Sequence, residues 1–246
     1  MSLSDTELER YARQIILPQV GGVGQRKLAA ARVAVIGAGG IGSAIIPALA
    51  GAGVGRLTII DDDVVDLSNL HRQPIFAEAD AGRAKAALAA SFVARLNRHV
   101  QSIPVQDRID SANAAGLLAN HDLVIDGSDN FATRLAVSDA CVKLGTPLLS
   151  AAAVQFQGQV ALFESRPCYR CFVGDAFDAD DCDTCAEQGV LGALTATVGG
   201  FAALMAINTI VGAGPAKAGS LHLFDGVTLN WRAIRIPPDP NCRICV

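Results

Sequence analysis

Arg13, Gly37, Gly39, Gly42, Asp61, Asn69, Arg72, Gln73, Lys85 and Asp129 follow one another in an order that describes a nucleotide site without a hydride acceptor. The glycines fall in Gly37-Ala-Gly39-Gly40-Ile-Gly42, directly after the apolar run Arg32-Val-Ala-Val-Ile and ahead of a helical stretch from Ile41 to about Ala52. In that setting Gly37 permits a tight turn, Gly39 and Gly40 let phosphate approach the backbone, and Gly42 lets the helix pack on the strand. The phosphates then meet a helix N-terminus, where unpaired N–H groups and the helix dipole favour negative charge. A second strand-type run, Arg56-Leu-Thr-Ile-Ile60, ends in Asp61, at the offset of roughly 20 residues that a ribose-binding acid occupies.

The residues between Asp61 and Asp129 specify the chemistry further. Asp61-Asp-Asp63 leaves the carboxyl end of a strand, where open α/β sheets place their ligands, and runs on through Leu67-Ser-Asn69-Leu-His-Arg72-Gln73. Arg72 can fork onto phosphate oxygens and Lys85 can act as a point charge, while Asn69 and Gln73 offer amides. Asp129, in Asp126-Gly-Ser-Asp129-Asn130, leaves another strand end. An acid there can hold Mg²⁺ against a phosphate, because Mg²⁺ takes one or two carboxylates together with phosphate oxygens and water. These groups suit attack at the α-phosphorus of ATP with pyrophosphate leaving. A nucleophile that is already a carboxylate needs no general base, so alignment and charge stabilisation carry the rate.

Seven cysteines include three Cys-x-x-Cys pairs, 168/171, 182/185 and 242/245. Two such pairs make a tetrahedral thiolate Zn²⁺ site. Spacing does not choose between them: 168/171 with 182/185 forms a compact local knuckle, and 242/245 is the alternative second pair. Cys182 and Cys185 lie among acidic residues, which raise a thiol pKa, ahead of a helix whose N-terminus would lower it. Cys141 sits in an apolar helical stretch and reads as core.

The elements that position these groups alternate short apolar runs with helical patterns, which indicates α/β architecture. Ser4-Asp-Thr-Glu7 forms a capping box that opens an N-terminal helix carrying Arg10 and Arg13. Gly21-Gly-Val-Gly24 reads as a loop, and Asp80 to Leu96 as a helix with Lys85 near its start. Ile103–Val105, Leu123–Asp126 and Pro147–Ser150 are further strands, with a helix from Phe131 to Val142. Beyond Ser150 the pattern changes to Val160–Phe163, Leu221–Phe224 and Asn230–Ile236, strands of hairpin or mixed-sheet type around an apolar helix. The expected fold is therefore a Rossmann-like, mostly parallel sheet extended by antiparallel C-terminal strands, in a single domain over 1–246. It divides into an N-terminal helical segment (1–30), a nucleotide-binding part (31–150) and a C-terminal part (151–246).

Composition excludes several classes. With 246 residues, 51% hydrophobic, and a net charge of −4, the chain has a substantial core and no basic stripe for nucleic acid. The polar, acidic N-terminus lacks the regions of a secretory signal, and a cytoplasmic location follows. No residue from Gln188 to Ala216 is charged, so this stretch is long enough for a membrane span. Its Gly, Ala and Thr content, Asn208 and its acidic N-terminal flank favour a buried helix whose small residues let neighbours, or a second subunit, approach closely.

At Arg10-Tyr-Ala-Arg13-Gln14, the glycine motif, Asp61 through Gln73, Gly82-Arg-Ala-Lys85, Asp126 through Asn130 and the pairs 168/171 and 242/245, the chain resembles the ThiF/MoeB/HesA adenylyltransferases. These are the bacterial members of the ubiquitin-activating (E1-like) superfamily, and the likeness runs over nearly the whole chain. The resemblance implies an ATP- and Mg²⁺-dependent enzyme, usually a homodimer, that adenylates the C-terminal Gly-Gly carboxylate of a ubiquitin-like sulfur carrier. It implies that Arg13 reaches the neighbouring subunit's ATP, that Asn69, Arg72 and Lys85 contact phosphates, that Asp61 binds ribose, and that Asp129 serves Mg²⁺ and catalysis. It selects Cys168, Cys171, Cys242 and Cys245 as zinc ligands and places Cys185 where some members bond the carrier through a thiol. The C-terminal part would bind the carrier, and sulfur would come from a separate donor protein. Phe224-Asp-Gly226 leans towards the thiamine branch and Thr184-Cys-Ala-Glu187 towards the molybdopterin branch. Two other readings stand beside it. An NAD-dependent oxidoreductase accounts for the glycines and Asp61, and a zinc-stabilised nucleotide-binding scaffold accounts for the cysteines.

Overall fold

In the computed structural model, which describes residues 3–174, 189–214 and 218–245, both faces of one sheet are covered by helices. That arrangement follows from strands that are apolar on both sides. In β1 (Arg32–Ile36), Val33 and Val35 enter one core cluster while Ala34 and Ile36 enter the other. The first cluster takes in Leu57 and Ile59 of β2 (Arg56–Ile60), and Ile45, Ile46 and Leu49 of α3 (Gly42–Ala52). Ala89 and Val93 of α4 (Lys85–Leu96) complete it. The second joins Val124 of β4 (Leu123–Asp126) to Leu118 of α5 (Ala114–Leu118) and Val137 of α6 (Phe131–Leu144).

The strand order is β3-β2-β1-β4-β5-β6-β7-β8, with β3 Gln101–Val105 and β5 Leu148–Val154. β1 to β5 are parallel, and the order reverses between β1 and β4, so their carboxyl ends open a crevice. β6 (Gln157–Phe163), β7 (Ser220–Asp225) and β8 (Asn230–Arg235) then extend the sheet antiparallel, as the sequence indicates. β5 runs four residues past the expected Ser150. Gln155, at φ 52°, and Phe156 turn it directly into β6 with Val154 paired to Gln157.

Helix α1 (Asp5–Ile15) opens with the expected capping box, Ser4 N–H donating to Glu7 Oε2 at 2.9 Å. Two expectations are corrected. Gly21–Gly24 is the first turn of α2 (Gly21–Ala30) rather than a loop; Gly24 lies against Val211. The helix expected from Asp80 begins only at Lys85, because Gly82 takes φ 79° and separates it from a 3₁₀ turn at Glu78–Asp80. Two five-residue helices, α5 and α7 (Tyr169–Val173), carry too little periodicity to be read in advance. The apolar stretch forms α8 (Gly192–Val211). By length and composition this helix could cross a membrane, but half of it is buried against α2, α3 and strands β5 and β6.

Candidate active site

The crevice is built at the carboxyl ends of β1, β2 and β4. Gly37 follows β1 at φ 86°, and a Cβ there would stand 3.2 Å from the Gly127 carbonyl, so the β1 and β4 turns press together. At Gly42 a Cβ would fall 2.1 Å from the Gly37 carbonyl oxygen, which excludes any side chain where α3 starts. Gly39 and Gly40 line the open cleft of about 1120 Å³ that results, with Asp61, Asp63, Asn69, Arg72, Gln73, Lys85 and Asp129 around it. These sequence-predicted nucleotide residues therefore converge on one cleft.

Each is held by local bonds. Asp61 Oδ2 accepts from Ala38 N–H at 2.6 Å and Oδ1 from Asp63 N–H at 2.9 Å, tying the end of β2 to the glycine turn. Burial pushes its carboxyl above the usual range, against the lowering effect of those N–H groups. Lys85 is buried at the start of α4, and its Nζ lies 2.9 Å from Oδ2 of the more exposed Asp63. The Arg72 guanidinium donates from Nη2 to Asn69 Oδ1 at 2.7 Å and from Nη1 to His71 Nε2 at 2.8 Å. Since arginine only donates, that ring nitrogen accepts, which gives His71 a local bonding role. Gln73 is buried beside Gly39, and its Oε1 has no hydrogen-bond partner among the described residues.

Asp129 stands exposed at the cleft mouth, one residue before Asn130, whose Oδ1 caps α6 by accepting from Thr133 N–H at 2.9 Å. Beneath it lies a residue that the sequence reading passed over. Arg134 is buried, donates to Ser150 Oγ at 3.0 Å, to Ala151 O at 2.9 Å and to Ser128 O, and lies 3.9 Å from Asp126 Oδ2. Its only signal is a cation one helical turn past the cap of α6, on the face that the sheet covers. Asp129, Arg134, Ala152 and Ala153 also line a second groove of about 1280 Å³, which continues past Gln157, Gln159, Asp225, Asn230 and Arg232 on β6 to β8. The two clefts meet at Asp129 and Arg134.

Arg13 is placed elsewhere. It is exposed in the last turn of α1 and is not among the residues lining this chain's own cleft. Gln14 is structural, donating to Ala52 O at 2.8 Å and to Gln25 Oε1.

The four cysteines of pairs 168/171 and 242/245 come together, all Sγ atoms within 4.8 Å of one another. Cys168 and Cys242 Sγ are 3.6 Å apart, and Cys171 and Cys245 Sγ 3.4 Å. Zn–S bonds of about 2.3 Å in a tetrahedron set the sulfurs about 3.8 Å apart, so the cluster fits that geometry closely. Asp239 N–H points at Cys171 Sγ at 3.4 Å. Burial pushes the Cys168 thiol up; at Cys242 burial also raises it, but the Cys245 and Ile244 N–H groups together with the Cys245 and Cys168 side chains bring it down to about 7. The alternative partners Cys182 and Cys185 lie outside the described residues. Cys141 is buried in α6, its thiol pushed up to about 12 by burial, as a core cysteine.

A glycine turn, strand-end acids and cations around one cleft, with a second groove opening from it, make a Rossmann-type crevice at the point where open α/β sheets take their ligands. The chain belongs to the ThiF family, whose model matches residues 11–244. It is 44% identical over 247 residues to "Adenylyltransferase and sulfurtransferase MOCS3" of Bos taurus, covering 99% of this chain and 54% of that protein. The chain thus spans about half the length of that relative. It is 42% identical to the "Sulfur carrier protein adenylyltransferase" of Thermus thermophilus, covering 100% of this chain and 93% of the relative. Among solved structures, E. coli MccB with MccA-N7isoASN shares the fold at a TM-score of 0.84 and 20% identity, over 99% of this chain and 75% of that one.

Proposed function

We propose that this chain is an ATP- and Mg²⁺-dependent adenylyltransferase acting on the C-terminal Gly-Gly carboxylate of a ubiquitin-like sulfur carrier. The observation that carries this is the junction of the two clefts at Asp129 and Arg134. One cleft has the ribose acid and the phosphate cations. The other is long and open enough for an extended peptide tail, and its amides and Arg232 suit backbone and carboxylate groups.

In the reaction a carboxylate oxygen forms a bond to the α-phosphorus of ATP as the bond from that phosphorus to the bridging oxygen breaks, and pyrophosphate leaves with the electron pair. Asp61 orients the ribose, Arg72 forks onto phosphate oxygens, and Lys85 neutralises charge growing on the leaving group. Arg134, held from four sides, fixes the Ser128–Asp129 turn where the two substrates meet. Asp129 is exposed at that point and fits an Mg²⁺ ligand, the ion supplying charge neutralisation between phosphates when bound. Arg13, outside its own cleft, completes the site of a partner subunit in a homodimer. Zn²⁺ on Cys168, Cys171, Cys242 and Cys245 ties the C-terminal tail to the body. Adenylation uses no thiol, so Cys185 bears only on sulfur transfer after the adenylate, with sulfur from a separate donor protein. A hydride-transfer reading would leave Arg72, Lys85 and Asp129 without a task.

The test is ATP–pyrophosphate exchange with labelled pyrophosphate and a Gly-Gly-ended carrier of the ThiS or MoaD type. Exchange that requires both Mg²⁺ and the free carrier carboxylate supports the proposal. ATP binding without exchange for any such carrier would leave a scaffold, and hydride transfer to NAD would replace the assignment.

A further inference from the structure

The knuckle that supplies two of the four thiolates also bears on the helix that carries the reaction centre. Cys168 stands at the N-cap of α7, and the next residue, Tyr169, is buried between rings. Its ring centroid lies 6.4 Å from Phe131, 5.7 Å from Phe163 and 6.0 Å from Phe172. Phe131 is the first residue of α6, two residues after Asp129. Arg170, also between the cysteines, forks onto Asp139: Nε donates to Oδ1 at 2.7 Å and Nη2 to Oδ2 at 2.8 Å. Asp139 lies eight residues beyond Phe131, about 12 Å further along the helix. Val142, in the last turn of α6, packs against the cysteines themselves. One short knuckle therefore holds α6 at its start, its middle and its end.

We infer that Tyr169 and Arg170 are positioning residues that register α6, and with it Asp129 and Arg134, against the nucleotide by anchoring the helix to the thiolate cluster. This rests on the adenylation reading. The geometry divides the site into two bodies. Asp61, Asn69, Arg72 and Lys85 belong to the segment from β2 to α4, which holds ribose and phosphate. Arg134 rides on α6, and Asp129 stands in the turn two residues before its first residue. A slackened knuckle shifts the second set relative to the first, so it lowers turnover while leaving nucleotide binding largely in place. A merely structural knuckle would lower the amount of folded protein and leave turnover per folded molecule alone.

Tyr169→Leu and Arg170→Gln, made in the full chain, test this beside wild type. The measurements are bound zinc, ATP–pyrophosphate exchange with a Gly-Gly-ended carrier, and amide hydrogen exchange. Both variants should retain zinc. Tyr169→Leu should lose about tenfold in kcat with half-saturating ATP moved less than about threefold, since sub-ångström misplacement of reacting groups already costs rate. Arg170→Gln should lose less. Amides of residues 129–134 should exchange faster in both, with those of 32–60 unchanged. Wild-type kcat in both variants overturns the inference, as does a lost rate with amide protection at 129–134 unaltered. If Tyr169→Leu fails to fold, Arg170→Gln, whose pair is partly exposed, decides by the same readings. A wild-type chain without pyrophosphate exchange strikes the adenylation reading instead, and the amide measurement still decides whether the knuckle orders α6.

Discussion

Lys85→Met separates chemistry from stability at one position. The ammonium is buried, its side chain 5% exposed, but its partner Asp63 is 67% exposed and meets water freely once released. A pair so screened is worth about 1 kcal/mol or less, and methionine fills similar space without the cost of desolvating a charge. The folded state should therefore change by no more than about 1 kcal/mol, a shift of about 2–4 °C in midpoint for a chain of this size. Activity should behave otherwise. On the adenylation proposal, removing a buried charged donor from a phosphate costs about 2–4 kcal/mol in transition-state stabilisation, or on the order of hundredfold in kcat/KM. Scanning calorimetry and ATP–pyrophosphate exchange on one preparation give both numbers. Exchange within about threefold of wild type would remove Lys85 from the mechanism, and a stability loss above about 2 kcal/mol would show that the ion pair is structural.

Arg13→Ala and Asp129→Ala should each be inactive yet regain part of the activity when mixed as heterodimers, because one site in the mixed dimer keeps both groups; stable mixed dimers without recovery would sink the trans role of Arg13. Cys242→Ser should lose bound zinc and several kcal/mol of stability, measured by metal analysis and urea unfolding, and unchanged zinc after truncation at Asn241 would move the site elsewhere. Asp61→Asn concerns pH. Burial raises the folded carboxyl above 3.8, so the ionised form costs stability above the folded value and that cost vanishes below 3.8. Asn accepts only one of the two N–H bonds, which adds an offset that does not vary with pH, so the test is the slope: the variant's stability relative to wild type should fall as pH falls from 7 towards 4, and it should bind ATP about tenfold more weakly by calorimetry; a relative stability that is flat or rises on acidification would contradict the burial argument.

Much of the nucleotide half is legible in the chain because its signals are local. β1 and β2 are short apolar runs that stop at Gly37 and Asp61, and those stops line the cleft. Residues set by tertiary contact are not legible in this way. Gly21–Gly24 has loop composition, yet packing of Gly24 on Val211 stabilises a helix there. Arg134 looks like a solvated cation of α6 until the sheet is laid over that face. The second groove draws Gln157 from β6 and Asp225 and Arg232 from the far-off β7–β8 pair, and no spacing joins the two. Cysteine spacing alone left three pairs open, and which pairs meet is decided by the return of the tail to α7.

Cys168 and Cys242 stand 74 residues apart, and α8, β7 and β8 lie between them. A metal held there closes a loop of that length, and by chain entropy such a closure restricts the unfolded chain by about 4 kcal/mol. The enclosed strands form one wall of the second groove, while Asp61, Asn69, Arg72, Gln73 and Lys85 of the first cleft lie outside the loop. Cutting or unclipping the tail therefore loosens the second groove first. On the adenylation proposal, a worn molecule of this kind would keep its hold on nucleotide after losing its macromolecular substrate, so the two affinities should decay on different clocks.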